Sequence, residues 1–271
     1  MVLHNKTILI CGDWHWHDGK SNTTKECLQL NNGSWIKHST FNDQRFFHST
    51  VTTQTATFVF GGGYSPRTYE YLPNASTKWR KAHFNDIPRG FSAGCAIAVK
   101  SDQEIWLIGG TMNNEQRILK FNVKDHTFQV SNSKLNVRRY HQKCAFIPHT
   151  NKIMISGGIW RGSALDSTEI IDTDDESVTM ASPMKRKRYE HGMGIITING
   201  EDRIAVVGGF DERTNTRLDS VELYNSQKMV WEMADFKLKQ GKQSFGFMTV
   251  KLSDIICQLK QKSELDWPEL D

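Results

Sequence analysis

The sequence predicts an all-β chain of about five repeats, each a four-stranded unit. Three markers predict it: a glycine doublet closing an apolar strand, an aromatic or Met anchor further on, and an Arg opening the strand after that. The doublets are clearest at 57–62, 104–110, 152–158 and 203–209, where the first glycines stand 48, 48 and 51 residues apart. One further step back reaches Thr7-Ile8-Leu9-Ile10-Cys11-Gly12, read as a fifth copy in which Cys11 stands for the first glycine.

The remaining strands follow in order. A polar turn after each doublet leads into a second strand at 25–30, 68–72, 117–122, 167–172 and 220–225. A third carries Trp35, Trp79, Phe128, Met180 and Trp231, expected to wedge between neighbouring sheets. The fourth opens on an Arg, at 45–53, 89–99, 139–147 and 188–198. Radial repetition of four-stranded sheets is the propeller plan, and 271 residues hold it as one domain. The glycines are needed because a sharp turn with positive φ excludes a Cβ.

The first repeat has no Arg-led strand of its own, whereas 243–250 is in phase with the others. Pairing of the N- and C-terminal strands in one blade is therefore expected to close the ring. The domain is placed at 1–252 and a tail at 253–271, the alternative being a shortened sixth blade that starts near Asp254.

These markers, in phase from residue 7 to about 252, resemble the kelch repeat, whose period is about 50 residues. The resemblance implies a kelch-type β-propeller that binds proteins through its loops. In kelch substrate receptors of ubiquitin ligases, the turns before the Arg-led strand and after the doublet touch the bound peptide. The matching positions are Arg45, Arg89, Arg139 and Arg188, with Ser92 and His191, and Tyr64, Trp160 and Phe210 after the doublets. An Arg ring with aromatics suits an acidic protein or peptide. The other reading of these Arg residues is that they brace neighbouring loops. On the partner-binding reading, replacing Arg45, Arg139 and Arg188 by Ala leaves the fold intact and abolishes binding.

Other chemistry has little support. No catalytic motif is present, and no cofactor or metal site is expected. His15 and His17 beside Asp13 and Asp18 are too few for a metal centre, and the Tyr/Cys/His set of kelch-bladed copper oxidases finds no match. His48, His141 and His191 read as members of the Arg-x-x-His pattern of the repeat. The net charge of +4 gives no support for nucleic-acid binding, and no apolar run approaches membrane-spanning length. A monomer is expected.

Cys11, Cys27, Cys95, Cys144 and Cys257 are scattered and odd in number, so a reducing, cytoplasmic setting is the default. Cys95 and Cys144 read as small buried hydrophobes at matching places in two Arg-led strands. The alternative is an extracellular protein with a local Cys11–Cys27 disulfide and glycans on the sequons at Asn5, Asn22, Asn32 and Asn74. A substrate-recognition subunit of a ubiquitin ligase is a further alternative. It would need its dimerisation domain from another chain or a missing N-terminal part.

Overall fold

A computed structural model describes residues 1–17, 20–84, 90–111, 113–244 and 248, without the side chains of residues 13–22. Five four-stranded antiparallel sheets follow one another along the chain as the blades of a β-propeller. Blade 1 is Val2–His4, Thr7–His17, Lys20–Asn31 and Ser34–Thr40; blade 2 is Ser49–Thr52, Ala56–Phe60, Thr68–Pro73 and Arg80–His83. Blade 3 is Cys95–Val99, Glu104–Ile108, Arg117–Asn122 and Phe128–Lys134. Blade 4 is Lys143–Phe146, Lys152–Ser156, Thr168–Asp172 and Val178–Ala181, and blade 5 is Gly192–Ile198, Glu201–Val207, Ser220–Asn225 and Val230–Lys237. Two short hairpins, Ile159–Trp160 with Ser163–Ala164 and Phe210–Asp211 with Thr216–Arg217, extend the doublet turns of blades 4 and 5.

The core is a series of wedges between blades. Strand side chains alternate between faces, so Phe58 and Phe60 of blade 2 pack with Leu107 and Phe121 of blade 3. Val59, between them in sequence, turns the other way toward Leu9 and Phe41 of blade 1. Trp106 and Ile108 meet Ile153 and Ile155 of blade 4, whose Met154 meets Ile204 and Val206 of blade 5. Central strands are covered on both faces, which explains their continuous apolar runs.

Three expectations are corrected. The innermost strand of blade 1 is Val2–His4, paired with Thr7–His17 through Val2↔Leu9 and His4↔Thr7, so the place expected for a C-terminal strand is filled from the N-terminal side. Most of 243–250 and the whole tail lie outside the described residues, so the alternative sixth blade does too. The first doublet glycine of blade 1 is Gly12, not Cys11: Gly12 has φ +62, matching +58, +62, +57 and +62 at Gly61, Gly109, Gly157 and Gly208. Cys11 is a strand residue in the core.

The third correction concerns the wedge anchors. Trp79 and Trp231 are buried as expected, but Trp35 is 39% and Met180 51% exposed. In blade 4 the inward residue is Val178, opposite Ile171, two positions before Met180. Trp79 shows how the wedge works, its ring 4.7 Å from Phe41 and its Nε1 donating to Ser39 Oγ of blade 1 at 3.0 Å.

Candidate functional site

The Arg-led connectors between blades build the site, and they carry two sets of side chains pointing opposite ways. Arg45, Arg139 and Arg188 are fully buried. Each reaches into the blade it introduces. Arg45 Nη1 donates to the Gly61 carbonyl at 2.7 Å, Arg139 Nη1 to Gly157 at 2.8 Å and Arg188 Nη1 to Gly208 at 2.6 Å. Each also forms an ion pair with a buried carboxylate: Glu70 at 3.0 Å, Glu169 at 2.7 Å and Glu222 at 2.6 Å.

The other oxygen of each carboxylate accepts a backbone N–H from the incoming connector, at Asn42, Asn136 and Lys185 respectively. Burial pulls the three guanidinium groups below their ordinary range, and the facing carboxylates oppose that shift. The geometry is therefore that of a brace. Three side chains expected at a partner surface lie inside the protein, tying a connector, a doublet turn and a strand together. Their joint replacement by Ala is now expected to damage the fold.

The remaining predicted residues divide. Ser92 and His191 are buried. The Ser92 carbonyl accepts the Thr111 N–H at 2.8 Å, and His191 Nε2 lies 2.9 Å from Ser156 Oγ of the preceding blade. Arg89 lies outside the described residues. The Arg-x-x-His position of blade 4 belongs to Gln142, whose Nε2 donates to the Ile108 carbonyl at 2.7 Å, and His141 is one residue early. Tyr64, Trp160 and Phe210 do reach the surface of the loops; Tyr64 is 69% exposed.

Around Tyr64 and Phe210 the structure gathers aromatic residues that sequence reasoning missed. Phe46 stacks edge-on against both Tyr64 (5.4 Å) and Phe47 (5.1 Å), and Phe47 against His141 (4.5 Å). His141 is followed by Tyr189 (6.3 Å), and Tyr189 by Phe210 (5.7 Å). Rings from blades 2, 4 and 5 thus form one rim on one face. Trp160 lies beneath two guanidinium groups, Arg138 at 5.4 Å and Arg161 at 5.8 Å from its centroid. The missed signal is Arg followed by an aromatic: Arg45-Phe46-Phe47, Arg139-Tyr140-His141 and Arg188-Tyr189-Glu190.

Backbone geometry fixes the rim. Phe47, Ala93, His141, Glu190 and Ser244 have φ of 54, 54, 56, 54 and 54°. The N–H of each of the last four donates to the carbonyl of the one before, at 2.8, 2.6, 3.1 and 3.0 Å, passing from connector to connector. Among their side chains, Glu190 Oε1 is 3.5 Å from His141 Nδ1, and its Oε2 accepts from Ser244 Oγ and Gln243 Nε2. Burial lowers the His141 imidazole while Glu190 opposes that shift.

Cys95 and Cys144 are corrected as well. They are bonded to each other, joining the inner strands of blades 3 and 4. Cys11 and Cys27, partners on adjacent strands of blade 1, form a second disulfide. Among the described residues no group of three or more His, Cys, Asp or Glu side chains is placed to hold a metal ion, and no helix is long and apolar enough to cross a membrane.

Known proteins carry related sequences. No protein-family model matches the chain. Over 136 residues, 48% of its length, it is 30% identical to a kelch repeat-containing protein of Dictyostelium discoideum, covering 20% of that protein. Over 221 residues, 80% of its length, it is 24% identical to Kelch-like protein 23 of Mus musculus and of Homo sapiens, covering 37% of each. The chain thus spans well under half of these relatives. The chain is a five-bladed β-propeller similar in sequence to kelch-repeat proteins.

Proposed function

We propose that this propeller is a non-enzymatic protein-interaction module that docks a protein or peptide partner on its aromatic rim. The observation that carries the reading is the run of rings from Tyr64 through Phe46, Phe47, His141 and Tyr189 to Phe210. Large rigid side chains at low entropic cost are what dominate protein hot spots. Tyr64 and Phe47 are exposed, and the half-buried rings of Phe46, His141, Tyr189 and Phe210 continue the run along the rim.

Acidic character in the partner fits the cations that remain on this side. Arg138 and Arg161 stack on Trp160, and Lys185 and Arg186 are exposed in the connector before blade 5.

Photo-crosslinking tests the face. A photoreactive phenylalanine analogue is placed at Tyr64 and, separately, at Trp35 on the outer strand of blade 1. Adducts from Tyr64 and none from Trp35 are expected in native extract. Adducts from Trp35 alone would move the docking surface off the rim.

A further inference from the structure

Four sequons occur in the chain, and the fold treats them differently. In an antiparallel blade the turns joining strands one to two and three to four lie at one end, and the doublet loops and connectors at the other. Asn5 and Lys6 form the turn between Val2–His4 and Thr7–His17, with φ of 46° and 63°. Asn32 and Gly33 form the turn between Lys20–Asn31 and Ser34–Thr40, with φ of 49° and 77°. Both are tight two-residue hairpins with the Asn first, a position Asn tolerates at positive φ. They lie at the end of blade 1 away from the rim.

Asn5 and Asn32 are exposed, and a side chain at Gly33 would meet nothing within 4 Å. Thr7 and Ser34 complete the sequons two residues on. Asn74-Ala75-Ser76 is at the same end of blade 2 but is not free, because Asn74 Nδ2 donates to the Gln54 carbonyl at 2.6 Å and its Oδ1 is buried. The nitrogen that would take a sugar is thus occupied. The Asn22 side chain lies outside the described residues.

An independent observation bears on the compartment. Four cysteines are joined in two disulfides, one within blade 1 and one between blades 3 and 4. Stable disulfides belong to oxidising compartments, the same ones in which Asn-x-Ser/Thr is glycosylated.

We propose that the chain matures in an oxidising secretory compartment where Asn5 and Asn32 receive N-linked glycans and Asn74 does not. One end of the propeller is then sugar-covered and the aromatic rim at the other is left bare. Each Asn Nδ2 bonds to the anomeric carbon of a lipid-pyrophosphate-linked oligosaccharide; the pyrophosphate leaves and the amide proton is lost to a base. In each disulfide two thiols give up two protons and two electrons to the disulfide of a dithiol oxidoreductase, which departs as the dithiol. The inference stands apart from the docking reading, since it concerns the opposite end.

The test is peptide mass spectrometry of the native protein without reduction, after amidase release of N-glycans in heavy-oxygen water. Expected are heavy Asp at 5 and 32, unmodified Asn at 74, and linked peptides Cys11–Cys27 and Cys95–Cys144. Unmodified Asn5 or Asn32, modified Asn74, or free thiols at any of these four cysteines would overturn the proposal. None of these results touches partner capture at the rim, so the two readings fail separately.

Discussion

Arg139 and His141 are two residues apart in one connector, yet one is buried in an ion pair and the other stands in the rim. The same split recurs between Arg45 and Phe47, and between Arg188 and Tyr189. The inward half ties each connector to the blade it introduces through charge, hydrogen bonds and backbone carbonyls. The outward half places rings on the rim, where Phe47 is exposed and Phe46, His141 and Tyr189 are half-buried. If the rim docks a partner as proposed, such a connector divides stability and binding within three residues, and its two halves should respond differently to mutation.

The largest expected effect lies on the inward half. Arg139→Met strands the Glu169 carboxylate in the interior and should cost about 3–5 kcal/mol in urea unfolding. Blade 3 shows what a carboxylate-free version looks like: Leu119 packs in its core at the position that Glu70, Glu169 and Glu222 hold in blades 2, 4 and 5. Adding Glu169→Leu to Arg139→Met should therefore recover most of the loss. If the double variant is as unstable as the single, the brace owes its strength to something other than the paired charges.

Next is the doublet turn that the brace holds. A Cβ at Gly61, where φ is +58°, would sit 1.8 Å from the Phe91 carbonyl oxygen of the next connector. Gly61→Ala should cost at least about 2 kcal/mol, because backbone strain adds to the clash. Gly33→Ala, also at positive φ but with nothing within 4 Å, should cost less. The difference between their unfolding midpoints isolates the close approach of two connectors.

Acid should act through the histidines that join blades. Burial, with the Met1 amino group, Arg45 and Lys143 nearby, pushes His48 down to about 3. Burial and neighbouring Arg188, Lys143 and Arg139 hold His191 well below 6.5. The unfolded chain takes up protons near pH 6.5 where the folded chain does not. Each histidine's contribution is therefore flat above that value and falls below it by about 1.4 kcal/mol per pH unit, down to about pH 3 for His48. His48→Gln, which places at this site the amide that Gln142 supplies in blade 4, should lower the slope by one histidine's share. An unchanged slope would mean that other groups govern acid unfolding.

Much of this fold is legible in the sequence, because glycine doublets and apolar runs act locally. The doublet needs positive φ and the strands need two buried faces, and both conditions write themselves into a few adjacent residues. The brace is less legible because the Arg and its Glu lie 25, 30 and 34 residues apart. A window around Arg139 cannot show that its partner is buried 30 residues later, although the recurrence of Glu at one strand position was a visible sign. The cysteines teach a related point. Cys95 and Cys144 are separated by 49 residues, one repeat, so equivalent places in consecutive blades made them spatial neighbours. Nothing local distinguishes such a pair from two small core residues. The rim is less legible because the sequence shows an aromatic after each Arg but not the positive φ of the residue that follows it, at Phe47, His141 and Glu190.

The smallest expected effect on stability belongs to the outward half, and it tests the division of labour most directly. In Phe47→Gly, Tyr64→Gly, Tyr189→Ser the glycines suit the positive φ of the first two sites, 54° and 66°. The measurement is partner capture from native extract by this triple variant, read beside its melting temperature. A melting temperature within about 2 °C of the parent, equivalent to about 1 kcal/mol, together with loss of the captured partner, is the predicted result. Undiminished capture at an unchanged melting temperature would contradict it.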